Sequence, residues 1–298
     1  MFDKLKKEMQ IDDVNHEHDT LISDKFWISD KEFHAKEFER TKGNCCFNHQ
    51  IGLPKIKREP YNELPILDYE MQIICNIEHN KYYALNKARG IGATEVILRL
   101  ILFKALHNDI PSRKFLIIPG TRAELAREYI RRIGTLCNRI SYRKSKTQDK
   151  ILIGKSEIIA MPADPDAIRG YENVAVIFAD EAAHWDLQDD DPVLEAIEPH
   201  RTKSDSQIII VSTPNGPRGF FGNIFSSAKI KYFKDTMPWH VAEGLLISKE
   251  EVEQIKKDDY FRYEQEYNCK FLSTKYSAFP QEVLEIARMK SEEYQLMD

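Results

Sequence analysis

No apolar run in the sequence approaches the roughly 18 residues that a membrane-spanning helix needs, so no span is predicted. The opening residues, Met1-Phe2-Asp3-Lys4-Leu5-Lys6-Lys7-Glu8, lack the apolar core of a secretory signal. Cysteine is scarce and odd in number, five in 298 residues. That argues for a reducing compartment. Asn44-Cys45-Cys46-Phe47-Asn48-His49 brings two thiols near an imidazole, but no second cysteine pair at zinc spacing follows. Packing cysteines are the expectation there. Internal repeats and low-complexity tracts are absent.

Net positive charge is also missing. The formal charge is −5, so the surface as a whole is not built to coat nucleic acid. Positive charge is instead concentrated. Arg113, Lys114, Arg122, Arg127, Arg131, Arg132, Arg139, Arg143, Lys144, Lys146 and Lys150 share one segment whose only acids are Glu124, Glu128 and Asp149. This segment reads either as a solvated helix face with a hairpin, or as a patch for DNA phosphates or a neighbouring subunit. A local excess of this size repels itself unless offset.

What is present begins with Val174-Ala175-Val176-Ile177-Phe178-Ala179-Asp180-Glu181. A continuous apolar run with β-branched residues suits a strand buried on both faces, as in a parallel sheet. Ligands of such sheets bind at the carboxyl ends of strands, where Asp180 and Glu181 fall. Two adjacent acids there suit phosphoryl chemistry, one holding Mg²⁺ and the other orienting or deprotonating a water. The plainer alternative is a strand with an acidic turn.

Upstream, Tyr82-Tyr83-Ala84-Leu85 reads as a strand and Glu95–Leu106 as a helix. Lys87-Ala88-Arg89-Gly90-Ile91-Gly92-Ala93-Thr94 lies between them. Strand, glycine loop and helix form the setting of a phosphate-binding loop, with backbone N–H groups and the helix dipole facing the anion. Thr94 is placed to offer a hydroxyl to Mg²⁺. The strict G-x-x-x-x-G-K-[ST] pattern fails twice, with Lys87 for the first glycine and Ala93 for the lysine.

The rest supplies an organisation. Phe115–Pro119 and Gln207–Val211 read as strands, and Ile151–Ile153 with Glu157–Met161 as a hairpin around Gly154-Lys155-Ser156. Thr121 with Glu124 looks like a capping box. Ala163–Ile168 reads as turn, and helical sequence dominates from Lys249 onward. The expected class is α/β: a P-loop, mostly parallel sheet flanked by helices. Residues 1–65 are expected as an N-terminal arm or small subdomain, 66–272 as the core, and 273–298 as a helical tail or linker.

The ordered set resembles the ATPase domain of the large terminase subunit, the viral DNA-packaging motor, from about Leu67 to Phe271. Leu67–Gln72 is similar to that family's adenine-proximal segment, with Gln72 as the glutamine. Ala88–Thr94 is similar to its phosphate loop, Ile168-Arg169-Gly170 to its arginine–glycine pair, and Asp180-Glu181-Ala182-Ala183 to its metal-binding acid and catalytic glutamate. Ser212-Thr213-Pro214-Asn215-Gly216 resembles its coupling motif, and Pro238-Trp239 and Gln265–Phe271 the end of the domain.

The resemblance implies an ASCE-type fold, ATP as substrate and Mg²⁺ as cofactor. ATP would lie along Gln72 and Lys87, Ala88, Arg89, Gly90, Ile91, Gly92, Ala93 and Thr94. Thr94 and Asp180 would hold Mg²⁺, Glu181 would activate water, and Arg169 would reach into a neighbour's site. Ser212 and Thr213 would couple hydrolysis to movement. It further implies a ring of five copies that drives double-stranded DNA through a portal into a procapsid in the host cytoplasm. A small terminase subunit and a nuclease domain or chain are implied partners; a membrane is not. Two departures stand out. Ala93 replaces the loop lysine, leaving Lys87 or Arg89 to substitute, and no carboxylate set for a nuclease follows Phe271. A helicase or remodelling ATPase, and a non-hydrolysing structural subunit with a degenerate loop, are the alternatives.

Overall fold

The computed structural model describes residues 56–58, 61–64, 67–106, 108–136, 142–185, 190–217, 219–227 and 231–272. Cys45, Cys46, His49, Arg139 and the tail from residue 273 lie outside the described residues. At the start of the described residues, β1 (Ile56–Arg58) and β2 (Tyr61–Leu64) pair antiparallel. Then α1 (Asp68–His79), β3 (Tyr82–Lys87), α2 (Ala93–Leu106), β4 (Arg113–Ile118) and α3 (Ala123–Leu136) alternate. Next come β5 (Arg143–Lys144), β6 (Lys150–Ile153), β7 (Ser156–Ala160), α4 (Pro165–Arg169), β8 (Val174–Ala179), β9 (Gln207–Ser212) and β10 (Phe233–Met237).

Strands β3 to β10 form one sheet in the order β10-β3-β9-β8-β4-β7-β6-β5. The first six in that order run parallel, and β6 and β5 close one edge antiparallel. The loop strand β3 and the acid strand β8 are therefore not neighbours; β9 lies between them.

Apolar runs need two covered faces, and both are covered. Val176 and Phe178 of β8 pack into the core shared with α1, α2 and α3. Ile177 and Ala179 pack into the opposite core, with Ile168 of α4 and the helices Asp191–Ile197 and Gly219–Ser226. Each fully buried Val, Ile or Phe side chain stabilises the fold by about 1.5–3 kcal/mol. Helix α2 is apolar nearly all round and buries Val96, Ile97, Leu98, Leu100, Ile101 and Leu102. Helix α3 is one-sided: Ala126, Tyr129, Ile130 and Ile133 face the core.

Two local expectations change. Helix α3 begins at Ala123, two positions after Thr121, with a first turn in which the Leu125 N–H donates to the Arg122 carbonyl. Glu124 pairs forward with Arg127 rather than backward in a capping box. Residues Pro165–Arg169 are a short helix, because Asp164 caps the Asp166 N–H and Pro165 fits the first turn. The basic segment is offset only in part: Arg127 pairs with Glu124, Arg131 with Glu128, Arg132 with Glu95 and Lys150 with Glu157, while Arg143, Lys144 and Lys146 are exposed. Arg113 is tied to the Asn173 side chain and the Ser204 carbonyl.

Candidate active site

The site lies at the carboxyl ends of β3, β8 and β9. After β3 the chain must turn sharply into α2, and Gly90 and Gly92 supply the turn with φ of 82° and 78°. A Cβ at Gly92 would also sit 3.1 Å from Glu70 Oε1. The first turn of α1 braces this loop. The Tyr69 hydroxyl donates to the Ile91 carbonyl at 2.8 Å, and buried Glu70 accepts from the Leu67 N–H at 3.0 Å. From below, the Ala88 N–H donates to the Met237 carbonyl and the Arg89 N–H to the Glu266 carbonyl. The loop amides open to an anion are therefore those nearer α2, where helix N–H groups have no intrahelical partner.

At the end of β8, Asp180 is fully buried and accepts three hydrogen bonds. The Thr94 and Tyr129 hydroxyls each donate to Oδ2 at 2.7 Å, and the Glu181 N–H donates to Oδ1 at 2.9 Å. Glu181 itself adopts a left-handed backbone (φ 48°, ψ 37°), strained for a residue with a Cβ. Its Oε1 accepts from Lys87 Nζ at 2.8 Å, and the Lys87 side chain is only 7% exposed. The next turn is pinned from β9. Ser212 Oγ accepts the Ala183 N–H at 3.1 Å, Thr213 Oγ1 lies 2.6 Å from His184 Nε2, and Asn215 donates to the Ala183 carbonyl.

Of these groups Lys87, Thr94, Tyr129 and Glu181 line a cavity of about 560 Å³, together with Arg89, Gly90–Ala93, Glu95, Arg99, Arg132 and Leu246, and Asp180 lies buried directly behind them. Burial and the adjoining Glu181 carboxylate push Asp180 above the usual carboxylate range, against the pull of Lys87, Tyr129 and Thr94. Burial acts most strongly and would raise Glu181, but the charge and hydrogen bond of Lys87, together with His184 and a Thr213 backbone hydrogen bond, hold it below its ordinary value. Burial lowers His184, so its ring is neutral near pH 7. Thr94 and Asp180 together offer hard oxygen donors beside a phosphate-sized cradle, which suits Mg²⁺. No group of three or more His, Cys, Asp or Glu able to hold a metal occurs among the described residues.

The sequence-predicted residues divide. Lys87, Thr94, Asp180, Glu181, Ser212 and Thr213 converge on this one corner. Gln72 is exposed on α1 and does not line the cavity, and Ala88 is buried behind it. Arg89 lines the cavity but is 64% exposed and pairs with Glu266. Arg169 ends α4 on the surface, paired with Asp166 at 3.2 Å, and does not line the cavity. Tyr129, Glu95, Arg99 and Arg132 were not foreseen. Tyr129 carries the apolar period of α3 and reads as core until the fold brings its hydroxyl to Asp180.

Among the described residues no helix is long and apolar enough to cross a membrane. Comparison with curated proteins gives no significant match. Among solved structures, the large terminase of a thermophilic bacteriophage is 14% identical, with a TM-score of 0.57. The alignment covers 74% of this chain and 57% of that one. The same thermophilic phage protein has been solved with ADP. The large terminase ATPase domain of Thermus phage P74-26 is 19% identical over 64% of this chain and 89% of that one, with a TM-score of 0.51. The bacteriophage HK97 large terminase is 14% identical over 70% and 51%, with a TM-score of 0.56. These likenesses establish the fold, and this chain spans little more than half of the first and last of these relatives. The family model "Terminase large subunit, T4likevirus-type, N-terminal" matches residues 84–286, well over half of the sequence, and this chain belongs to the terminase large subunit family.

Proposed function

We propose that this chain is an ATP-hydrolysing motor that drives double-stranded DNA into a viral capsid. One observation carries the reading: Thr94 from the glycine loop and the Asp180–Glu181 pair meet across β9, with the Thr94 hydroxyl 2.7 Å from Asp180. The thermophilic phage relative solved with ADP supports a nucleotide as the ligand.

ATP would lie with its phosphates over Gly90–Thr94. Thr94 and Asp180 would hold Mg²⁺, which neutralises phosphate charge. Lys87 has Glu181 as its resting partner. A bound polyphosphate competes for that ammonium and leaves Glu181 free to take a proton from the attacking water. The water oxygen bonds to the γ-phosphorus, and the bond to the bridging oxygen breaks with its electrons left on ADP. Lys87 thus serves in place of the missing loop lysine at residue 93. Arg169, held by a single exposed pair worth under about 1 kcal/mol, is free to enter the site of an adjoining copy. Ser212 and Thr213 read the state of Glu181 through the turn they pin.

The motor would be a ring, five copies by family resemblance, acting at a portal on a procapsid in the host cytoplasm. It would grip DNA through backbone phosphates without regard to sequence. The working unit is the core 66–272; cutting of DNA belongs to a nuclease domain or chain outside it. Phosphate release by the purified chain, with and without long duplex DNA, tests the reading. Stimulated turnover is expected. Nucleotide binding without turnover under either condition would favour a structural subunit, and unwinding of a forked duplex would favour a helicase.

A further inference from the structure

Three arginines of α3 look alike in sequence and differ in place. Arg127 and Arg131 pair with glutamates three residues earlier on their own helix and face solvent. Arg132 instead crosses to α2, where its Nη2 donates to Glu95 Oε2 at 2.9 Å, and it lines the cavity. Its guanidinium lies 5.2 Å from the centre of the Tyr129 ring, whose hydroxyl holds Asp180. Arg132 is thus one aromatic ring away from the acid that marks the terminal-phosphate end of the site.

Glu95 does not need Arg132 for charge balance. Arg99, one turn along α2, already grips Glu95 Oε1 through Nε at 3.2 Å and Nη2 at 2.8 Å. The cavity lining carries four cations, Lys87, Arg89, Arg99 and Arg132; Lys87 pairs with Glu181, Arg89 with Glu266, and Arg99 and Arg132 share Glu95. Arg132 is thus a cavity cation whose partner is already held by another arginine, which leaves it available to an incoming polyanion. Ala93 contributes no charge to the cavity, and the planar fork of an arginine matches phosphate oxygens.

We propose that Arg132 is a ligand of the terminal phosphate, supplied by the same subunit, and that it leaves Glu95 to Arg99 when a triphosphate enters. This rests on the ATP reading above. It adds a group that distinguishes triphosphate from diphosphate without a neighbouring copy.

The test is binding, by calorimetry, of Mg²⁺–ADP and of a slowly hydrolysed Mg²⁺–ATP analogue to wild type, Arg132→Ala and Glu95→Gln, each also melted thermally. Arg132→Ala should bind the triphosphate about tenfold or more weakly and keep ADP affinity within about twofold. Glu95→Gln removes the resting partner and keeps the cation, so it should bind triphosphate as well as or better than wild type while melting lower. Equal losses for both nucleotides in Arg132→Ala, no loss, or matching losses in the two variants would overturn the proposal and leave Arg132 a structural partner of Glu95. Failure of wild type to bind either nucleotide would instead overturn the ATP reading itself.

Discussion

At the scale of single residues, the substitution of the loop lysine is the main question. Lys87 and Arg89 were both open as its replacement in the sequence. The structure separates them by burial and by partner. Lys87 is enclosed against Glu181, whereas Arg89 is mostly exposed against Glu266, which also holds Arg262. A charge in a nearly dry site interacts far more strongly than one in water. Lys87→Ala should therefore lower ATP turnover by about tenfold or more, and Arg89→Ala by clearly less, in matched steady-state assays. The reverse order would move the role to Arg89. The meeting of the acids, Thr94 and the glycine loop was legible because each follows an apolar strand of one parallel sheet, whose carboxyl ends share an edge. Tyr129, Glu95 and Arg132 were not, because their roles depend on which turn of α3 faces which turn of α2.

At the scale of elements, six of the eight strands of the large sheet, β3, β4, β6, β7, β8 and β9, were legible from their apolar runs, whereas the edge strands β5 and β10, polar and partly to fully exposed, were not. Runs such as Gln207–Val211 have no alternating polar face, so a strand buried on both sides is their only comfortable place. Boundaries were less so: the start of α3 at Ala123 follows from how the chain leaves β4, which no local motif encodes. What joins α2 to α3 is the Glu95 clamp. Burial would raise the Glu95 carboxyl, but Arg99 and Arg132 hold it below its ordinary value. A depressed carboxylate contributes stability that is complete above its unfolded pKa and vanishes as pH falls through the lower folded value. Glu95→Gln should thus cost about 1–3 kcal/mol near neutral pH. In denaturant titrations at several pH values, the gap between wild type and variant should close only in acid, below the unfolded carboxylate value of about 4.3. A gap independent of pH would mean that the clamp does not act through charge.

At the scale of the whole molecule, Arg169 stands apart from the site of its own chain. Lys87, Thr94, Asp180 and Glu181 meet, while Arg169 stands outside on α4. If Arg169 serves the site of an adjoining copy, turnover should rise faster than linearly with protein concentration. Arg169→Ala and Glu181→Gln, each inactive alone, should regain activity when mixed, since some interfaces then pair an intact arginine with an intact glutamate. A co-assembled mixture as inactive as its parents would count against a role between copies. All of this depends on the site being hydrolytic, and Glu181 is where that is tested most directly. The measurement is phosphate release by Glu181→Gln beside wild type at saturating ATP and duplex DNA, with nucleotide affinity measured on the same samples. The account predicts retained affinity and turnover reduced by roughly two or more orders of magnitude. Turnover at the wild-type rate would contradict it.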